Sequence, residues 1–283
     1  MTRMMSDQAE GLRRLLAQSR TRMLAIASMG RGQGATTVTM NLAAALAQQG
    51  RQVMLLDEHG HGDGTAAACW GLAPAGALAD VALRRTTLQD AAARSACGVQ
   101  VLPAVPRTVA LSADPRSLWQ GDVILVDAAL DAEGRLSGLA QRADELVLVM
   151  RPHAAAITAT YAGVKRLHYA HALRQLRFVV NGVDEPRAAQ QVTDNLAQAG
   201  SRYLAVSLQP AGSVRAEPHM RDAQRLARTV VEAYPASPAA ADFRRIADEM
   251  GHWPWRPGAS LVAPPPAPAS PCQARDATIA TAC

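Results

Sequence analysis

Lysine is almost missing from this chain: Lys165 is the single lysine among 29 basic residues, and arginine supplies the rest. A site that needs a compact ammonium has one position to draw on, because a guanidinium meets anions with a planar fork rather than a point charge. Aromatics are scarce at 4%, so aliphatic side chains and alanine must fill the core from a hydrophobic content of 49%. The four cysteines, Cys69, Cys97, Cys272 and Cys283, form no CxxC pair and no disulfide framework. No apolar run approaches the roughly 20 residues of a membrane helix. The N-terminus carries charges where a signal peptide has its apolar segment, so the expected location is the reducing cytoplasm. No block of like charges marks a nucleic-acid arm. The net charge of +5 therefore reads as a weakly basic surface, without nucleic acid as an expected partner.

What is present is an alternation of apolar runs and helical patterns. Short strands are predicted up to residue 28 and over 52–56, 99–102, 123–126, 146–150 and 178–180, with helical patterns between most of them. That alternation predicts an α/β fold, a doubly wound, mainly parallel sheet with helices on both faces. Helices are expected over 36–49, ended by Gly50, and over 187–199 and 219–233. A last helix follows Pro238, with Phe243, Ile246, Ala247 and Met250 on one face. Its mixed polar face favours packing against the domain over lying on a membrane. Residues 6–18 read as a short amphipathic helix that either docks on its own domain or serves a partner. The expected organisation is an N-terminal helical segment over 1–20, a domain over 21–250 and a disordered Pro/Ala-rich tail over 251–283.

The stretch with the most chemistry is Ser28-Met-Gly-Arg-Gly-Gln-Gly-Ala-Thr-Thr37, between a strand and a helix. Glycines at 30, 32 and 34 are expected to allow positive φ and turn N–H groups inward, and the helix N-terminus beyond them favours an anion. This is the plan of a phosphate-binding loop: Gly30, Arg31, Gly32, Gln33, Gly34, Ala35, Thr36 and Thr37 would cradle phosphates. Thr36 and Asp127 would hold Mg²⁺. Asp57, Asp127 and Asn181 each follow a strand and are expected to point into the same crevice. The plain alternative for each aspartate is a cap on the next helix. The lysine of the usual pattern is Ala35 here.

These residues together resemble the MinD/ParA family of P-loop ATPases. Met40-Asn-Leu-Ala-Ala-Ala-Leu-Ala47 and Val53-Met-Leu-Leu-Asp57 are similar to its first helix and second strand, and the segment from Asp144 to Pro152 to the stretch after its Walker B strand. Val179-Val-Asn-Gly-Val183 is similar to its adenine-side Asn motif, with Glu217 where an Asp near adenine is expected. Asp7-Gln-Ala-Glu-Gly-Leu-Arg13 resembles the activator segment of the flagellar-number-regulator branch, FlhG or FleN. The resemblance implies ATP or ADP with Mg²⁺ as ligands, and an FlhF-like GTPase as partner through Asp7, Gln8, Leu12 and Arg13. It further admits flagellar switch proteins, a flagellar transcription regulator, a nucleotide-dependent homodimer and peripheral membrane contact. The departures from the family pattern are Gly30 and Ala35 for two lysines, Met29 for a glycine, His59 for a water-positioning aspartate, and Ala128-Ala-Leu-Asp131 for Thr-x-x-Gly. Losing one preorganised contact to a phosphoryl transition state costs about 3–4 kcal/mol, so hydrolysis is expected to be slow or lost and nucleotide binding weakened. Two alternatives stay open: an active ATPase switch that dimerises on ATP with Arg31 in the role of a lysine, and a ParA-like DNA partition or cellulose-synthesis accessory protein.

Overall fold

The computed structural model describes residues 21–60, 62–106, 113–185, 190–196, 198, 206–254 and 261. The predicted helix over 6–18, and nearly all of the predicted tail, lie outside them.

Among the described residues eight strands make one sheet. They are β1 (Arg22–Ala27), β2 (Val53–Asp57), β3 (Ala93–Arg94), β4 (Gln100–Pro103), β5 (Val123–Asp127), β6 (Glu145–Met150), β7 (Gln175–Val183) and β8 (Ser207–Arg215). Their order across the sheet is β3-β4-β2-β5-β1-β6-β7-β8, parallel throughout except where β3 meets β4. β1 lies between β5 and β6, so the chain first builds one side of the sheet and then the other. The end of β1 is the switch point where ligands of such sheets bind.

Alternation along the strands assigns side chains to two faces. Leu24, Ile26, Val53, Leu55, Leu125, Val147 and Val149 pack with Val38, Leu42 and Leu46 of α1 (Ala35–Gln48) and with Phe243 and Ile246 of α3 (Pro238–Met250). Met23, Ala25, Met54, Leu56, Ile124, Val126 and Leu148 pack on the other side with Val164 and Leu167 of α2 (Ala154–His171). The strands are apolar on both faces because both faces are covered. The predicted stripe of Phe243, Ile246, Ala247 and Met250 is buried in this body, and the Ser237 side chain caps α3. No helix among the described residues is long and apolar enough to cross a membrane.

Two sequence expectations need correction. The helix expected over 219–233 is two pieces, His219–Arg225 and Val230–Ala233. Ala227 takes a positive φ of 51° between them, and Thr229 with Glu232 forms a capping box that starts the second. Thr-x-x-Glu is a start signal, and it cut the longer apolar pattern in two. β8 was not expected, because Pro210 and Gly212 interrupt its apolar pattern. It is an edge strand, where proline costs no ladder bond. Gly212 has a φ of 134°, and a Cβ there would meet Ile246 of α3 at 2.7 Å.

Candidate functional site

The glycine turn leaves the end of β1 and enters α1 through Gly34, a left-handed N-cap with φ of 89°. Gly32 also has a positive φ, 76°, whereas Gly30 does not, which corrects the expectation that all three glycines supply one. No side chain caps α1 and no acidic residue lies in its first turn. Among the described residues the N–H groups of its first turn therefore have no side-chain acceptor, an arrangement suited to an anion.

From outside, the turn is held by β6 and β7. Asn181 Nδ2 donates to the Gln33 carbonyl at 2.9 Å, and the Arg151 N–H donates to Gln33 Oε1 at 2.9 Å. A Cβ on Gly34 would sit 2.4 Å from Asn181 Nδ2, so glycine is required there twice over, by φ and by space. Asn181 thus braces the turn, and Gln33 is the one residue between 28 and 37 that does not line the open cavity above it.

That cavity has a volume of about 920 Å³, within the range of roughly 300–1,000 Å³ usual for ligand sites. Gly30, Arg31, Gly32, Gly34, Ala35, Thr36 and Thr37 form its floor. His59 and the loop over 128–134 form one wall, and Arg166 of α2 lines the cavity beside Gly134 of that loop. Ala35 lines it with a methyl group only.

Beneath the floor lies a group of buried carboxylates. Asp57 and Asp127 are register partners at the ends of β2 and β5. Asp57 accepts from the N–H groups of His59 at 2.9 Å and Ala66 at 2.7 Å, so both its oxygens serve the chain that follows β2. This is the capping arrangement rather than an open carboxylate. Desolvation, then the nearby Asp127, pushes the Asp57 carboxyl above its ordinary pKa. Asp127 is wholly buried. Its Oδ1 lies 3.5 Å from Thr39 Oγ1 and 3.5 Å from His59 Nε2, while Oδ2 has no hydrogen-bond partner among the described residues. The bond to Asp127 raises the His59 pKa against the desolvation that would lower it. Glu58, between Asp57 and His59 in sequence, accepts from the Ala129 N–H at 3.0 Å and from the Ser137 hydroxyl. Burial pushes its carboxyl up to about 7. Glu217 stands apart past the end of β8, where it accepts at 3.4 Å from the His219 N–H.

No protein-family model matches the sequence. Over 235 residues the chain is 32% identical to the antiactivator FleN of Pseudomonas aeruginosa, covering 79% of this chain and 84% of that protein. The chain belongs to the MinD/ParA family of P-loop ATPases, in its FleN (FlhG) branch. The chromosome-partitioning ATPase Soj of Thermus thermophilus is 26% identical over 251 residues, 83% of this chain and 97% of that one. Among solved structures, the septum site-determining protein MinD of Pyrococcus horikoshii, complexed with Mg-ADP, superposes with a TM-score of 0.60. It is 25% identical and covers 81% of this chain and 96% of its own.

For a member of the MinD/ParA family, the fold brings together the glycine turn, Thr36 and Thr37, with Asp57 and Asp127 below and Asn181 outside. It does not bring Glu217 into the cavity, and Asp7, Gln8, Leu12 and Arg13 lie outside the described residues. Sequence reading missed Thr39, Glu58 and Arg166. Thr39 was legible in principle as one turn past Ala35, whose carbonyl its hydroxyl also meets at 2.9 Å. Arg166 carried no local signal, because only the packing of α2 decides that it reaches a turn more than a hundred residues earlier.

Proposed function

We propose that this chain is a FlhG-type regulator that holds ATP or ADP in the cavity over the glycine turn and hydrolyses it slowly or not at all. The observation that carries the reading is the uncapped N-terminus of α1, opening into a cavity of nucleotide size. Phosphates would take the N–H groups of residues 32–37. Mg²⁺ fits the donor set: Thr36 lines the cavity, and Asp127 keeps a buried oxygen without a hydrogen-bond partner among the described residues. Thr36 and Asp127 would hold the ion, and the chemistry it would supply there is neutralisation of phosphate charge. The N-terminal segment over 1–20, through Asp7, Gln8, Leu12 and Arg13, would engage an FlhF-like GTPase. This partner assignment rests on the likeness of that segment to the branch's activator sequence.

Slow hydrolysis follows from what the cavity lacks. Ala35 offers no charge, and His59 stands where an aspartate would orient water. Its imidazole is turned to Asp127. Restoring one such contact is worth about 10²–10³ in rate, so Ala35→Lys should raise steady-state turnover well above the wild type. Calorimetry with ATP and ADP, with and without Mg²⁺, tests the binding half of the reading; no heat with either nucleotide would remove it. A peptide of residues 1–20 should raise the GTPase rate of an FlhF-like partner, and its failure to do so would remove the partner assignment. Salt-dependent binding to duplex DNA would favour a Soj-like role instead.

A further inference from the structure

We propose that Arg166, with Arg31, supplies the positive charge that contacts the terminal phosphate of a bound polyphosphate, in place of the lysines absent from the turn. The proposal rests on the nucleotide-site reading for its ligand, but the anion site itself is built by residues that the P-loop pattern does not contain. Arg166 lines the same cavity as Arg31, Gly32 and Thr36. Lys165 is next to it on α2 and does not line the cavity, so the chain's single lysine cannot take this role.

Three features set Arg166 in place. α2 lies against the turn through Gly163, which is buried. A Cβ there would fall 1.9 Å from Met29 Sδ, so a larger residue would push the Met29 thioether aside. Arg166 is three residues further on, on the same face of the helix. Its guanidinium then passes Gly134, where a Cβ would lie 3.0 Å from Arg166 Nε. Gly134 thus leaves room for the arginine side chain beside the loop that walls the cavity.

The carboxylates nearest in sequence to Gly134 are already committed. Arg135 Nε pairs with Asp131 Oδ2 at 2.8 Å, and its other nitrogen with Glu133 Oε2 at 3.0 Å. Arg166 and Arg31 have no hydrogen bond or ion pair among the described residues, and both are exposed to the cavity. Two unpaired guanidinium groups beside an uncapped helix N-terminus attract phosphate strongly, and each offers the bidentate fork that fits it.

The test is calorimetric titration of the full chain with ATP, ADP and inorganic tripolyphosphate, in wild type, Arg166→Ala and Arg166→Lys. Arg166→Ala should weaken ATP and tripolyphosphate about tenfold, the size of one charged hydrogen bond, and ADP less. Arg166→Lys should recover part of the loss, and the alanine variant should show a shallower dependence on salt. ATP binding unchanged in Arg166→Ala, or ATP and ADP weakened equally, would overturn the proposal while leaving the nucleotide reading intact. Tripolyphosphate binding that depends on Arg166, without ATP binding, would keep the anion site and remove the nucleotide reading. Wild type that binds neither would overturn both.

Discussion

At the amino end of the sheet, Arg22 and Arg177 share Glu145, at 3.6 and 2.9 Å, and Arg116 meets Asp144 at 2.9 Å. Trp253 lies over both of the first two arginines, 4.2 Å from Arg177 and 5.7 Å from Arg22. At the carboxyl end, Asp57, Glu58 and Asp127 gather with His59 as their basic neighbour, and one carboxylate oxygen has no hydrogen-bond partner among the described residues. Both ends bury charge, and both leave polar atoms without a hydrogen-bond partner among the described residues: Arg22 Nε and Nη2 and Arg116 Nε at the first, Asp127 Oδ2 at the second. What differs is sign, since the first sets arginines against carboxylates and the second gathers three carboxylates around one imidazole. Burial disfavours unpaired ions by several kcal/mol, so opposite charges in contact suit the amino end to a structural role, whereas at the carboxyl end desolvation and the nearby Asp127 raise the pKa of Asp57 and Glu58 beneath the cavity.

The contrast can be broken hardest at the amino end. Glu145→Ala removes the acid between two buried arginines and should cost about 3–5 kcal/mol. Urea denaturation would show it as a lower midpoint at unchanged slope. A loss under about 1 kcal/mol would mean the arginines find water instead.

The carboxyl end should give itself away through pH. The Glu58 carboxyl is raised from 4.5 to about 7 in the folded chain. Its folded form holds the proton longer than its unfolded form, so the stability it contributes is complete below about 4.5 and is lost as pH rises towards about 7. Asp57 and His59 are also raised and act with the same sign. Glu58→Gln should flatten the fall by up to about 3 kcal/mol, read from denaturation midpoints across that window. An unchanged pH profile would place the buried charge elsewhere. Smaller still is Gly34→Ala, which puts a left-handed alanine at the head of α1 and should cost about 1–2 kcal/mol. Its Cβ also meets Asn181, so nucleotide affinity should fall further than stability; equal affinity would separate the turn from the ligand.

The sheet was legible because its strands are continuous apolar runs ended by polar residues. β8 was not, since Pro210 and Gly212 hide an edge strand whose partner is known only once β7 is in place. The glycine turn was legible from spacing, and Gly32 and Gly34 take the expected φ. Asp57 shows the limit of such reading. Its place after a strand suits a ligand contact and a helix cap equally, and only the N–H groups of His59 and Ala66 decide for the cap.

By itself the sequence determined the phosphate-loop plan, the position of Asp127 after a buried strand, and the absence of lysine from the turn. Each depends on residue type at fixed local spacing. Only the tertiary structure decided that Asn181 braces the turn, that Glu58 holds the loop after β5, and that Arg166 enters the cavity past Gly163 and Gly134. Those contacts join residues far apart in the chain. Such contacts are set by how closely helices can approach the sheet, a quantity that no local pattern records.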